Sequence, residues 1–547
     1  MSSSMPSASR RSNDGSSRNS SWPVGLAAVA FTLIYTAETT RTKPSGSAIG
    51  FDVVLHDSHE FELCNDYACA GANQNHPYAF ARGVLFAEPH RPTRARVRSR
   101  SSGGEGATTE AGGASVLDAT SGALAWTLRD GSLGALVAEA SGDTETDLVF
   151  PGSGEYSLAI ADASAAVLLR ARVVCRYVRR ELRELSETDR EHFLDAIVAL
   201  KTLPSDAADL SEYDAFVDAH LVLAGDRDTD QLHAGLGFLT RHQALTGAFE
   251  AALQRVDPRT AVPYWDFTRD RVAADLAVAA DGARGADSAA WRALWNESVW
   301  NDDAGFGATF GSALHTVESG RFAYWAAATT RSRNATRNAT GAATAAPGNA
   351  YGFLRAPWSM NRSPFLTRVH TVCGSAPDWE GAERGSGQKW PGCHEHRALT
   401  NATNWYDYAW AAQYAPHAPV HTLIGGVLCG SGGGEDDASM AALLPNVQAS
   451  PSRRASAHHF LTYVPKLLWR ERVLEYPAYC SAEGGSACHA VCGALARNRT
   501  ALSALLRARR DALGATLVED GLDDSEVRCR HVITFGSLSS SSNNHDG

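Results

Sequence analysis

The apolar residues of this chain change their period at Cys175, and that switch divides it into two kinds of structure. Over residues 51–174 short apolar runs (FDVVLH, ALAWTLRDGSLGALVAEA, TDLVF, YSLAIADASAAVLLRARVV) are broken by Gly and Asp. A period of two with DG and PGSG punctuation predicts strands, and so a small β-rich domain. From Cys175 onward the recurrence lengthens to three or four residues: Val178, Leu182 and Leu185, then Phe193, Ile197 and Leu200. That spacing predicts two helices, the second capped by Ser186 ahead of Asp189. Residues 212–256 continue mostly helical, and Leu502, Leu505, Leu506 and Leu513 predict a late helix over 499–517. Segments 96–115, 324–350 and 430–456 are rich in small residues and are expected to be loops. At about 100–200 residues per domain, 547 residues make a multidomain chain.

Charge and cysteine usage narrow the setting. Lys and Arg number 50 against 61 Asp and Glu, a net charge of −11, which argues against a nucleic-acid partner. Residues 22–37 (WPVGLAAVAFTLIYTA) carry no charge and follow Arg10, Arg11 and Arg18. They read equally as a cleaved signal peptide or as an uncleaved single membrane anchor. Either places the bulk of the protein in the secretory pathway, secreted or with a lumenal or extracellular catalytic domain. Sequons at Asn296, Asn334, Asn338, Asn361, Asn401 and Asn498 agree with a glycoprotein. The 10 cysteines form no CxxC pair, which suits disulfides in an oxidising compartment. Cys64 and Cys69 are close enough to staple a loop, and Cys480, Cys488 and Cys492 are expected in structural disulfides.

The 19 histidines concentrate the chemistry in two places. His220, His233 and His242 lie in YDAFVDAHLVLAGDRDTDQLHAGLGFLTRH; His417 and His421 lie in PHAPVHTLIGG, followed by the pair His458-His459. Histidines at i and i+4 share a helix face, so two imidazoles can reach one ion. Imidazole suits copper, zinc, iron and nickel. With no HExxH and no nearby Cys, a zinc hydrolase lacks its base and its ligands. An all-histidine site used twice points to a pair of copper ions. The bland alternatives are surface or capping histidines, with Pro416 and Pro419 marking a helix start.

These residues resemble the tyrosinase family of type 3 copper proteins, which includes catechol oxidases and haemocyanins. YDAFVDAH and H-x8-H with Phe249-Glu250 after it are similar to the first copper motif. VPYWDF (262–267), HTVESGRFAYW (315–325) and RSPFLTR (362–368) match connecting motifs in order, and HAPVHTLIGG matches the start of the second copper motif. The His458-His459 pair followed by Arg470-Glu471-Arg472 resembles its end. The resemblance covers about 179–472. It implies a common central domain built as a mainly α four-helix bundle with many loops. It also implies one copper on His220, His233 and His242 and a second on His417, His421 and His459. Phe238 and Asp266 are implied as neighbours of the ligands. The implied chemistry is oxidation of o-diphenols to o-quinones by O2, with monophenol hydroxylation open. The partners are then a phenolic or catecholic small molecule and O2; oligomeric state is not legible.

The chain also departs from the family's pattern. Thr240, Arg241 and Gln243 flank His242 where Pro-Trp and Arg are usual. RRASAHH replaces the usual Asp-Pro-x-Phe approach to the last ligand, Tyr463 replaces an Asp, and Pro465 interrupts the expected helix. Ala418 replaces the Asn of monophenol-hydroxylating members, and 405–416 holds no Glu, which favours diphenol oxidation. Gln231 replaces the Cys that forms a thioether in some relatives. The expected organisation is therefore a tail and linker (1–50), a β-rich domain (51–174), a dicopper domain (175–480) and a Cys-containing C-terminal segment (481–547). The alternative is an O2-binding or inactive dicopper-like domain with an eroded second site, for which His458 is a substitute ligand.

Overall fold

A computed structural model describes residues 50–57, 85–100, 123–281, 299–300, 305–307, 316–329, 348–368, 390–425, 466–476 and 491–504, except 207–209, 496–497, 502–503 and a few single positions within those ranges. The apolar stretch 22–37, the segment 430–456, Cys64, Cys69, Cys480, Cys488, His458 and His459 lie outside the described residues. So does most of the late helix expected over 499–517.

Among the described residues eight strands precede the helices: β1 (Gly50–Asp57), β2 (Leu85–Ala87), β3 (Pro92–Arg100), β4 (Leu124–Asp130), β5 (Leu136–Gly142), β6 (Glu145–Val149), β7 (Gly154–Ala161) and β8 (Val167–Cys175). They form a three-stranded sheet, β1-β3-β6, and a five-stranded mixed sheet, β2-β8-β7-β4-β5, in which β2 runs parallel to β8. Alternate residues turn inward. Trp126 and Leu128 on β4 lie opposite Ile160 and Leu158 on β7, and all four are buried. Val53, Leu55, Ala95, Val97 and Leu148 of the smaller sheet share that core, so the two sheets face each other as a sandwich. The DG signal is a turn. Asp130 accepts the Ser132 and Leu133 N–H groups, and a Cβ on Gly131 would lie 2.7 Å from the Glu155 carbonyl.

The loop expected over 96–115 does not hold for its first five residues, and 101–115 lie outside the described residues. Residues 96–100 still belong to β3, where Arg94 pairs with Asp147 and Arg96 with Glu145 across to β6. Opposite charges facing each other across a ladder favour strand over an open loop.

The first of the two helices expected after Cys175 is not formed. Residues 176–180 form neither helix nor strand, and Leu182–Glu184 is a single 3-10 turn. Arg179 reaches Glu250, Arg180 reaches Glu88, and Arg183 holds both Glu181 and Asp270. Glu250, Glu88 and Asp270 lie on three separate parts of the chain, which one helix face would not reach together. The second helix, α1 (Glu187–Thr202), begins as expected with Ser186 Oγ accepting the Asp189 N–H. It is followed by α2 (Glu212–Ala224), α3 (Gly237–Val256), α4 (Phe267–Asp281), α5 (Cys393–Ala398) and α6 (Trp405–Ala412). A π-turn (Gln413–His417) then leads into α7 (Ala418–Gly425). A short antiparallel pair joins β9 (Leu474–Glu475) to β10 (Val491–Cys492).

An apolar core joins most of the helices. Phe193, Leu194, Ile197 and Leu200 of α1 pack with Ala252 and Leu253 of α3, Ala274 of α4 and Val420 of α7. Tyr213 and Phe216 of α2 close over them. The PYWDF segment is part of this packing: Trp265 sits 5.4 Å from Trp300 and 5.7 Å from Trp390, ring centre to ring centre. Glu250 pins it from α3 by accepting the Val262 N–H while binding Arg179.

The sandwich meets α1 through buried charge. Arg91 lies 2.6 Å from Asp189, and Glu88 pairs with Arg180. Cys175 and Cys393 are free, which removes both from any disulfide framework. Cys175 points into the β core as a small apolar residue, where burial pushes its thiol up to about 12. Among the described residues no helix is long and apolar enough to cross a membrane.

Candidate metal centre

His220, His233 and His242 come from three different pieces of backbone. His220 lies on α2, His242 on α3, and His233 on the connection between them, residues 225–236. Helical spacing continued through 212–256 would have put His233 on a helix face; the break allows its ring to turn back toward the other two. The ring centres stand 5.3, 5.9 and 5.1 Å apart, and their nearest nitrogens lie within 4.8 Å of one another.

Local contacts fix which nitrogen of each ring is available. His242 Nδ1 donates to the Phe238 carbonyl at 2.7 Å, one helical turn earlier. His233 Nδ1 donates to Asp230 Oδ1 at 3.2 Å. A ring that donates from Nδ1 keeps its lone pair on Nε2, the state a metal requires. Burial and the neighbouring imidazoles hold His220 down to about 4. Burial also lowers His242, against the Phe238 carbonyl acting the other way.

His417 and His421 approach the same place from the π-turn and α7. Their rings are 4.4 Å apart, and His417 lies 6.4 Å from His242. Phe238 is wedged between the two groups, 4.8 Å from His242 and 4.8 Å from His417, and is buried. Burial, with His421 alongside, holds His417 down to about 4. Its Nδ1 is buried without a well-formed hydrogen bond, and the Gln413 backbone acts on it only at weaker geometry. His421 keeps accessible surface, yet the groups crowded around it still lower its affinity for a proton. His459 lies outside the described residues. Asp266 is engaged elsewhere: its carboxylate accepts the Thr268 N–H and hydroxyl at the start of α4.

The donor set fits a metal ion that takes neutral nitrogen ligands. Three imidazoles that converge this closely repel one another if charged. The missed residue is Asp230. Its signal was present as D-x-x-H, a spacing at which a carboxylate both folds the turn and meets the ring. It accepts the Leu232 and His233 N–H groups at 3.0 and 2.8 Å. Its other oxygen meets Lys466 Nζ at 2.5 Å, 236 residues away, a pairing no local pattern announces. Two departures from the family pattern also meet here: Arg241 donates to the Gln231 carbonyl and side chain.

Comparison with known proteins agrees with this geometry. Residues 210–444 match a family model described as the common central domain of tyrosinase. The chain is 35% identical over 97 residues to a tyrosinase of Streptomyces antibioticus, covering 17% of this chain and 33% of that protein. It is 32% identical over 100 residues to grixazone synthase of Streptomyces griseus, covering 17% and 30%. Over 132 residues it is 30% identical to tyrosinase ustQ of Aspergillus flavus, covering 24% and 30%. The chain thus spans about a third of the length of the curated relatives it matches. His220, His233, His242, His417 and His421 all fall within residues 210–444, the stretch that matches the common central domain of tyrosinase.

Proposed function

We propose that this protein is a type 3 copper oxidoreductase that oxidises o-diphenols to o-quinones with O2. The observation that carries the reading is the convergence of His220, His233 and His242, with His417 and His421 beside them. His220, His233 and His242 would hold one copper; His417, His421 and His459 would hold the second. Copper bound there supplies O2 activation and a reversible one-electron couple. In the net reaction two catechols and one O2 give two o-quinones and two waters. The chain's own part is to present lone pairs from uncharged rings, to seal the space between the two histidine groups with Phe238, and to fix His233 and His242 through their Nδ1 partners. The core shared by α1, α2, α3 and α7 is read as the four-helix bundle that carries them. Ala418 and the absence of Glu in 405–416 support diphenol oxidation over monophenol hydroxylation.

The test is O2 uptake by copper-loaded protein with a diphenol and a monophenol in parallel, alongside copper per chain. Two coppers, diphenol-dependent uptake, and loss of both activity and one copper in His242→Ala are expected. Protein that binds copper without consuming O2 would reject the oxidase reading.

We further infer entry into the secretory pathway, from residues 22–37 and the sequons. Asn401 and Asn498 are exposed, whereas the Asn361 amide is tied to Thr367 and its carbonyl to the Ser363 N–H. Endoglycosidase should shift the secreted protein, and Asn361→Gln should leave that shift unchanged. A shift lost with Asn361 would contradict this placement.

A further inference from the structure

The connection that carries His233 is braced from one distant segment, residues 466–475, through Lys466, Arg470 and Glu475. Asp230 is 1% exposed at its side chain, yet it holds a full carboxylate. One oxygen faces the His233 ring and two backbone N–H groups; the other faces Lys466 at 2.5 Å, with Arg470 at 3.9 Å. Around that pair Arg227 binds Glu475 through two 2.8 Å hydrogen bonds and stacks 4.7 Å from Trp469. Arg470 donates to the Arg227 carbonyl at 3.2 Å. Trp469 packs 5.1 Å from Trp358, over which Lys466 also lies.

Such an arrangement does more than close a loop. A buried carboxylate is costly unless its charge is matched and its lone pairs are used. Here the matching charge comes from Lys466, seven residues after the His458-His459 pair in sequence. The lone pairs are used on the very ring that must present Nε2 to the ion. The segment leaving the second histidine group therefore sets the orientation of a ligand in the first.

Resting on the copper reading above, we propose that Asp230 is the positioning residue for His233 and that Lys466 holds Asp230 in place. The two form a strut that makes the first metal site depend on the 466–475 segment. Asp230 touches neither substrate nor ion; it acts through the His233 ring.

The test uses full-length wild type, Asp230→Ala, Asp230→Asn, Lys466→Met, Lys466→Arg and the double variant Asp230→Ala/Lys466→Met. Copper affinity is measured by chelator competition, ligand geometry by electron paramagnetic resonance in a His421→Ala background, where a lone Cu(II) at the first site is paramagnetic, and backbone exchange over 225–236 in the metal-free protein. Asp230→Ala and Lys466→Met should weaken one of two coppers by about 10–100-fold, the usual cost of losing a group that orients a ligand. Both should also alter the resonance of that copper. Lys466→Arg should restore affinity, and the double variant should be no worse than Asp230→Ala alone. In a His242→Ala background the same changes should leave the remaining copper untouched. Should Asp230→Ala fail to fold, Asp230→Asn, which keeps an oxygen for the backbone and drops the charge, carries the comparison. Wild-type affinity and resonance in both the Asp230 and Lys466 variants would overturn the proposal. If wild type takes up no copper, the copper reading fails by itself, and the strut is judged on exchange. Faster exchange in Lys466→Met but not Lys466→Arg supports it; unchanged exchange overturns it.

Discussion

His220 and His417 are held down to about 4 from the ordinary 6.5 because their rings are shut away from water among other imidazoles. The consequence for stability has a definite sign. Above pH 6.5 both rings are neutral in the folded and unfolded chain alike. Below it the unfolded chain takes up protons that the folded one refuses until about pH 4, so unfolding gains ground as pH falls through that window. Melting temperatures of the metal-free protein should drop between pH 6.5 and 4, and His417→Gln should flatten the curve. An equally steep variant would contradict the burial argument. Copper affinity should weaken over the same range, because a protonated imidazole has no lone pair to give. At this scale the residue types were legible. The histidines announced themselves through spacing, while Asp230 passed unnoticed because its second partner lies 236 positions away.

Helix starts were the most readable elements, because a cap is a contact between near neighbours in the chain. Ser186 accepts the Asp189 N–H at the head of α1, and both residues are buried. Ser186→Ala should cost about 0.5–2 kcal/mol, seen as a lower urea midpoint at unchanged slope. A change in slope would mean the helix end was not the part affected. Leu253, fully buried where α3 meets α1, should cost about 2–5 kcal/mol on truncation to Ala. The stretch 178–185 misled because apolar spacing describes only one face. Three arginines, Arg179, Arg180 and Arg183, and their distant carboxylates decided its course instead. The connection 225–236 was hidden inside an apparently continuous helical run for a similar reason: Asp226 and Asp230 turn the backbone through their own N–H acceptors.

Across the whole molecule, the sandwich and the helices are joined by charge placed out of water. Arg91 and Asp189 are 9% and 7% exposed at their side chains and 2.6 Å apart. Arg91→Met leaves Asp189 without that cation, and should cost about 3–5 kcal/mol and separate one calorimetric transition into two. Copper per chain should stay as in wild type; a single unshifted transition would show that the pair does not couple the domains. Period, punctuation and histidine spacing sufficed to place strands ahead of helices, to find α1 and its cap, and to single out the histidines that converge, because each depends on neighbours within about a turn of the chain. The bending of His233 back between α2 and α3, the Phe238 wedge, the assignment of Asp266 to a helix start and the Lys466 strut followed from long-range packing. Burial makes an unmatched charge or an idle lone pair expensive, and the partners that satisfy them are brought near by the fold and not by their order in the sequence.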